Sequence, residues 1–548
     1  MKRFFLLLLL SCLGFSTLVF AQQEPPQNWF HLDPVRDSFP GISTQQTYRE
    51  LLGKKQGRTI IVAVLDSGVD FEHEDLRDVM WINPGEIPDN GIDDDNNGYI
   101  DDIHGWNFIG GANGENVHHD TYEVTRLYVA MKPKYEGKSR SSLSKKEQAE
   151  YDQYQEYKSV VEKKQSEIGP NLALYEATYQ AIEKLGSTID KDPITLEDVK
   201  QFRSTDNVLM ATANFVQQYM SQGNSFESIR DDLKGYYEYL YGQLNYGYNP
   251  DFDPRHIVGD DFSNPYERYY GNNDVRGPDA EHGTHVAGII GATRNNGIGM
   301  DGVADNVRIM SVRTVPDGDE RDKDVANAII YAVDNGASVI NMSFGKGASP
   351  DKEAVDKAVR YALKKDVVIV HAAGNDAKEN DGTNNFPHDK FRKRRLFGPK
   401  YADNWIEVGA LNWDGNPANF SNYSGDNVDV FAPGTAMYST VPGSEYKDLQ
   451  GTSMAAPVVA GVAATLRSYF PELTAKQVKN IIMESVVPVK EKVKKPGSDE
   501  MVNFSQLAIS GGYVNMHRAV QIAQSTKGKR RKPIESAPAQ PAPARAIP

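Results

Sequence analysis

Five short runs of apolar, mostly β-branched residues constrain the fold of this chain more than any other feature. They lie at residues 59–65, 307–312, 338–344, 367–373 and 404–410. The first run, TIIVAVL, is nearly continuously apolar, which indicates a strand buried on both faces of a parallel sheet. Stretches with helical spacing, at 322–335 and 350–363, separate some of them. The sequence therefore predicts an α/β fold of three layers, with a mostly parallel central sheet between helices.

Polar side chains follow two of these runs where each strand ends. Asp66 comes directly after the first run, and Asn375 follows the fourth after a single glycine. Because the carboxyl ends of parallel strands meet at one edge, where open α/β sheets bind ligands, we expect both side chains at that edge. An acid that only caps a strand-end turn is the alternative for Asp66 taken alone.

A serine and a histidine each open a run of small residues. Residues 451–461 read GTSMAAPVVAG, and residues 281–290 read EHGTHVAGII. A helix that begins at Ser453 would pack closely through its alanines and glycines, and its N-terminus would favour developing negative charge. His282 has a similar exposed setting beside a glycine. The alternatives are a small-residue helix buried for packing alone and a histidine that is simply hydrogen-bonded.

Composition and the N-terminus limit the partners and the location. The chain has 548 residues, and its net charge of −15 argues against nucleic acid as a partner. Residues 1–21 resemble a signal peptide, with a basic start, an apolar run and a small residue at position 21. We expect a secreted or periplasmic protein of the cell envelope without a stable membrane span. Lipidation at Cys12, the only cysteine, is the alternative.

Changes in composition divide the rest of the chain. We expect an N-terminal strap over residues 22–57 and a catalytic domain formed by 58–119 and 266–525. Residues 120–265, called the insertion below, are rich in Glu, Lys, Gln and Tyr, and they predict about four amphipathic helices. Two of these begin with capping-box spacing, at Ser144 and Thr195. Residues 526–548 form a basic, then Pro/Ala-rich tail that we expect to be disordered.

Residues 93–102, the acidic loop, read DDDNNGYIDD and resemble the first half of a calcium-binding loop. Oxygen ligands alternate before a glycine that permits a sharp turn, and two more acids follow. The twelfth position is His104, where such a loop has a bidentate acid. The acidic loop therefore predicts structural calcium, with an acidic surface turn as the alternative. The expected ligands are Asp93, Asp95, Asn97, Asp101 and Asp102.

Four motifs carry a family resemblance. VAVLDSGVD, HGTHVAG, AAGN and GTSMAAP occur in this order and resemble the signatures of the subtilisin-like serine peptidases, the subtilases. The resemblance implies that Ser453 is the nucleophile, His282 the general base, Asp66 the residue that orients this base, and Asn375 the oxyanion donor. It also implies that an extended substrate binds along backbone at Ser343, Phe344, Gly345, Ala373 and Gly374.

Two functions of different class are consistent with these residues. The first is a secreted serine endopeptidase that acts on extended polypeptides through an acyl-enzyme. The second is a catalytically idle scaffold that binds a partner through the insertion. Because the insertion separates the Asp66 and His282 motifs, it should begin and end near the active-site edge and form a wall, a lid or a docking site. Residues 392–395 predict an exposed basic loop and a site of self-cleavage.

Overall fold

The computed structural model describes residues 25–393 and 398–530, together with Lys532 and Ala537. The signal segment with Cys12, the second half of the basic loop and most of the tail lie outside these residues. Within the described part of the chain, no helix is both long and apolar enough to cross a bilayer.

A nine-stranded sheet forms the centre of the described residues. Its order is β10-β13-β7-β6-β5-β4-β1-β3-β2, and every pairing except β10 with β13 is parallel. The strands are β1 Ile60–Asp66, β2 Gly105–Asn107, β3 Val307–Arg313, β4 Ala337–Met342, β5 Val368–Ala372, β6 Trp405–Leu411, β7 Val430–Pro433, β8 Met437–Val441, β9 Glu445–Leu449, β10 Val487–Pro488, β11 Val493–Lys494, β12 Met501–Val502 and β13 Gly512–Tyr513. All five predicted runs form strands, but β4 ends at Met342, so residues 343 and 344 lie beyond it.

Helices cover both faces of this sheet, which confirms the predicted α/β fold. The helices are α1 Thr44–Thr47, α2 Glu123–Tyr135, α3 Lys145–Ile189, α4 Leu196–Gln201, α5 Asn207–Met220, α6 Phe226–Gly242, α7 Glu281–Gly291, α8 Asp322–Asp334, α9 Lys352–Lys364, α10 Thr452–Tyr469, α11 Ala475–Glu484 and α12 Met516–Ser525. One core packs β1 and its neighbours against α7 and α10, and a second packs the other face against α8 and α9. Most residues of the central strands β1, β4 and β5 are apolar because both faces of the sheet are covered.

The N-terminal segment is part of the first core rather than a strap laid over it. Trp29, Phe30 and Ile42 are fully buried there. The indole N–H of Trp29 donates to the carbonyls of Thr435 and Ala436, at 3.2 and 3.0 Å. The segment is therefore hydrogen-bonded to residues that lie 406 and 407 positions further along the chain.

The insertion contains five helices among the described residues, α2 to α6, where the sequence predicts about four. The capping boxes at Ser144 and Thr195 are both present. The insertion has a core of its own, formed by α3, α4, α5 and α6 around residues such as Ile182 and Val216. It is therefore a packed unit and not a loose loop.

Candidate active site

The carboxylate of Asp66 binds the imidazole of His282. Asp66 Oδ1 lies 2.6 Å from His282 Nδ1 and also accepts the N–H of Ser67 at 2.8 Å. Asp66 is 2% exposed, whereas the side chain of His282 is 38% exposed. The pair thus holds one imidazole nitrogen inward and leaves Nε2 for another partner.

A close approach of two backbones brings these residues together. Asp66 ends β1, and His282 is the second residue of α7. A Cβ at Gly283 would lie 2.1 Å from the carbonyl oxygen of Gly68, so only glycine allows α7 to begin this close to the strand end. A side chain at position 283 would therefore clash with the backbone that follows β1, which explains the glycine after His282.

The Ser453 hydroxyl lies in the first turn of α10, after a glycine with a φ of 152°. It donates to the carbonyl of Ser343 at 3.1 Å, and the Ser343 hydroxyl donates to the carbonyl of Ser453 at 2.9 Å. Pro457 has no N–H, so the helix leaves the Ser453 carbonyl, four residues earlier, free to accept this bond. Two reciprocal hydrogen bonds thus hold the serine turn at the end of β4.

Strand register brings this serine to the same edge of the sheet as the Asp66–His282 pair. Leu65 of β1 lies opposite Met342 of β4, and the next residues along the two strands are Asp66 and Ser343. Neighbouring strands are about 4.8 Å apart. Ser453, bonded to Ser343, therefore belongs to the same edge of the sheet as Asp66.

Asn375 joins this edge through Thr452. Its Oδ1 accepts both the N–H and the hydroxyl of Thr452, each at 2.9 Å. The same hydroxyl accepts the N–H of Gly374 at 3.0 Å. Since the amide oxygen is engaged, the Nδ2 of this exposed side chain is the atom directed at a ligand. The N–H of Ser453 is one of the first four of α10, which have no acceptor within a helix.

The substrate segment, which we define as Ser343, Phe344 and Gly345, leaves the sheet directly after β4. The next residue, Lys346, forms an antiparallel bridge with Phe386. Ala373 and Gly374 lie across from this segment, but their backbone is already engaged within the protein. Ala373 accepts three asparagine amides, and Gly374 accepts the N–H of Asn422 at 2.8 Å.

Electrostatics raise the pKa of the His282 imidazole. Loss of hydration lowers this pKa, but the charge and hydrogen bond of Asp66 outweigh that effect, with smaller contributions from Asp279 and Glu281. The protonated imidazole is thus stabilised beside the carboxylate, as a general base that becomes an imidazolium requires.

The acidic loop gathers a different set of carboxylates from the one predicted. Glu86, Asp95 and Asp102 each place one oxygen within 4.8 Å of the others. Asp93 instead accepts two backbone N–H groups within the loop, and Asp101 accepts those of Asn90 and Gly91 just before it. The Asn97 amide donates to Asp95 and Asp102.

The three gathered carboxylates fit a hard cation. Burial raises the pKa of Glu86, and burial also raises the pKa of Asp102 to about 7. A bound cation would relieve both the loss of hydration and the mutual repulsion of the carboxylates. Glu86 follows Pro84 and Gly85 and lies outside the acidic loop. The only sequence signal for it is a single acidic residue next to a turn.

Three residues near the substrate segment were missed from the sequence: Thr452, Lys346 and Glu123. Thr452 stands within the GTS motif next to the serine, which is a usable signal. Lys346 and Glu123 have no local signal, because their partners are distant in the chain.

A parallel sheet with an Asp–His pair and a helix-borne serine at its carboxyl edge defines a class of α/β protein with a Ser-His-Asp site. A model of the subtilase family matches residues 57–506, which is most of the chain. The chain belongs to the subtilase family.

Relatives agree with this assignment. A thermophilic serine proteinase of Bacillus sp. (strain AK1) is 42% identical over 222 residues, 40% of this chain and 49% of that protein. Subtilisin DY of Bacillus licheniformis is 41% identical over 202 residues, 36% of this chain and 68% of that protein. The match thus spans about half the length of the first relative. A solved protease structure from Pseudoalteromonas arctica PAMC 21717 has 29% identity and a TM-score of 0.38 over 46% of this chain and 78% of its own.

Proposed function

We propose that the protein is a serine endopeptidase that hydrolyses peptide bonds in extended polypeptides. The observation that carries this proposal is the 2.6 Å hydrogen bond between Asp66 and His282, formed at the sheet edge that also holds Ser453. Membership of the subtilase family and the names of the relatives support the same activity.

The chemistry needs one proton to move twice. When substrate binds, the Ser453 hydroxyl exchanges its bond to Ser343 for one to His282 Nε2, and the imidazole takes its proton as Oγ attacks the carbonyl carbon. Asp66 stabilises the imidazolium. Asn375 Nδ2 and the Ser453 N–H donate to the oxyanion. The imidazolium then gives its proton to the departing amine, and water releases the acyl group by the same steps.

Labelling with a fluorophosphonate tests this function. The probe should attach covalently to the purified protein, and Ser453→Ala should abolish the labelling. Ser505→Ala, which changes an exposed serine of the same domain, should label like the parent. An unlabelled parent protein, or a labelled Ser453→Ala variant, would refute the proposal.

An apolar groove in the insertion favours a second candidate function, partner binding. The groove has a volume of about 370 Å³ between α3, α5 and α6. It is lined by Leu174, Tyr175, Phe215, Tyr219, Leu233 and Tyr236. Failure of fluorophosphonate labelling would make this the leading function, with the fold as an idle scaffold.

Calcium and export complete the proposal. Glu86, Asp95 and Asp102 would hold a structural calcium ion, which would supply charge neutralisation and tie the acidic loop together. Residues 1–21, which resemble a signal peptide, support export to the cell envelope or out of the cell. Mass spectrometry of the mature N-terminus tests export: Gln22 as the first residue supports signal cleavage, and a lipidated Cys12 supports the alternative.

A further inference from the structure

A buried lysine stands directly after the substrate segment. The side chain of Lys346 is 1% exposed. Its ammonium group donates to the carbonyl of Glu320 at 2.8 Å and lies 3.0 Å from a carboxylate oxygen of Asp322. A buried ammonium is costly unless it is paired, so these partners fix where the lysine, and the backbone that carries it, can lie.

The third partner of this lysine comes from the insertion. Glu123, the first residue of α2, places Oε2 2.7 Å from Lys346 Nζ. Glu123 is itself held by Arg126 at 2.8 Å, and its own N–H donates to Asp319 Oδ2 at 2.7 Å. Burial raises the pKa of Glu123, but the charges of Lys346 and Arg126 outweigh it and lower that pKa to about 2. Glu123 is therefore a fixed anion.

A second residue of α2 contacts the same region. Arg126 donates to the carbonyls of Asp319 and Glu320 at 3.1 and 3.2 Å. Lys346 and Arg126 therefore share the Glu320 carbonyl as an acceptor. The first turn of α2 is thus bonded both to residues 319–320 and to the residue that follows the substrate segment.

The contacts form a short connection from the insertion to the nucleophile. Ser343, at one end of the substrate segment, exchanges two hydrogen bonds with Ser453. Lys346, three residues later, is bound by Glu123. Between these two fixed points, Gly345 leaves no room for a side chain, because a Cβ there would lie 2.5 Å from Asn385 Oδ1. The position of the substrate segment thus depends on both ends being held.

We propose that Glu123 is a positioning residue that acts through Lys346 to hold the substrate segment in the geometry that binds an extended polypeptide. The insertion is then part of the substrate-binding apparatus and not a separate module. This inference rests on the proposed peptidase function.

Two substrates separate positioning from general damage. A peptide with four residues before the scissile bond reaches the substrate segment, whereas a single-residue ester and a fluorophosphonate react at Ser453 without it. Glu123→Gln keeps the size of the side chain but removes its charge. We expect it to raise KM for the long peptide about tenfold, because coupling between contacting residues commonly has this size. Hydrolysis of the ester and the rate of fluorophosphonate labelling should stay unchanged.

Three further variants make the test decisive. Lys346→Gln should give the same selective loss, and the double variant should be no worse than the more affected single variant. Glu150→Gln removes a surface ion pair between Glu150 of α3 and Lys134 of α2, and it should change the hydrolysis of neither substrate. Equal loss on the long and short substrates, or no loss on either, would overturn the inference while labelling persists. Absence of labelling in the parent protein would instead overturn the proposed function.

Discussion

At the scale of single residues, two hydrogen bonds hold the candidate site in place, and the proposed reaction breaks only one of them. The Ser453 hydroxyl is engaged by the Ser343 carbonyl, and the Asn375 oxygen is engaged by Thr452. In the proposed mechanism the first bond breaks before His282 takes the serine proton, whereas the second persists and leaves the Nδ2 group free to donate. Pro457 has no N–H to donate, so the Ser453 carbonyl is free to accept the hydrogen bond from the Ser343 hydroxyl.

The raised pKa of His282 predicts the pH dependence of activity. The imidazole acts as a base only when it is neutral, so kcat/KM should rise with pH through a midpoint above about 6.5, the usual value. Asp66→Asn should move this midpoint to lower pH and slow turnover, because the charge that raises the pKa is lost. A pH series with a peptide substrate checks this. An unchanged midpoint in the variant would contradict the assigned role of Asp66.

The raised pKa of His282 makes the stability of the fold fall as the pH rises, over the range in which activity should increase. Because the folded-state pKa is raised, protonation of His282 favours the folded state. This contribution is complete below about pH 6.5 and is lost as the pH rises through the raised value. The active, neutral form is therefore the less stabilised one. Since the side chain is partly exposed, solvent screening reduces the effect.

Asn375→Ala should slow the chemical step and leave binding nearly intact. Loss of one oxyanion donor costs about 10²–10³ in kcat, a figure that itself comes from a subtilisin. We expect kcat for a peptide to fall by about this factor with little change in KM. Asn384→Ala, in the exposed loop that follows, is the control and should keep full activity. A change confined to KM would argue against the oxyanion role.

At the scale of elements, the acidic loop is folded by its own carboxylates. Asp93 and Asp101 accept N–H groups and shape the backbone, which leaves Asp95 and Asp102 to converge with Glu86. Asp95 and Glu86 also accept backbone N–H groups, so these two acids take part both in turn formation and in the candidate cation site. Alternating oxygen ligands in the sequence indicated the loop but did not distinguish these two uses.

Removal of calcium should lower the melting temperature. Saturating calcium at about 100 times its Kd would stabilise the fold by about 2.7 kcal/mol, which corresponds to about 3–4 °C for a chain of this size. Calorimetry with and without a chelator measures this difference. Asp95→Asn should abolish it, whereas Asp94→Asn, beside it but outside the cluster, should preserve it. An unchanged melting temperature in the presence of the chelator would indicate that the loop is an acidic surface turn without calcium.

At the scale of the whole molecule, the insertion is joined to the catalytic domain by buried charges at the start of α8. Where the insertion begins, Asp120 accepts two bonds from Arg321, at 2.7 and 2.8 Å. Near its end, Arg255 binds Asp260 and Asp324, both at 2.7 Å. Both ends of the insertion are thus fixed beside the first turn of one helix, close to the substrate segment.

Breaking one of these pairs should destabilise the whole protein. Arg255→Leu leaves the fully buried carboxylate of Asp324 without its cation, whereas Asp260 keeps Lys323, and loss of one partner of a buried pair commonly costs about 3–5 kcal/mol. Arg140→Leu removes an exposed pair with Asp152 within the insertion and should cost less than about 1 kcal/mol. Urea unfolding of both variants measures the two losses. Equal losses would show that burial of the Arg255 pair is not what couples the insertion to the domain.

The sequence alone determined the five central strands and the identity of four candidate site residues, whereas it missed the shorter strands and one helix of the insertion. Apolar runs specify buried strands locally, and the motifs around Asp66, His282, Asn375 and Ser453 each lie within a few residues of a strand end or helix start. Only the tertiary structure decided that Glu86 replaces Asp93 and Asp101 in the acidic cluster, and that Glu123 binds Lys346. These contacts join positions far apart in the chain, and their energies come from burial and charge pairing in three dimensions, which no local pattern encodes.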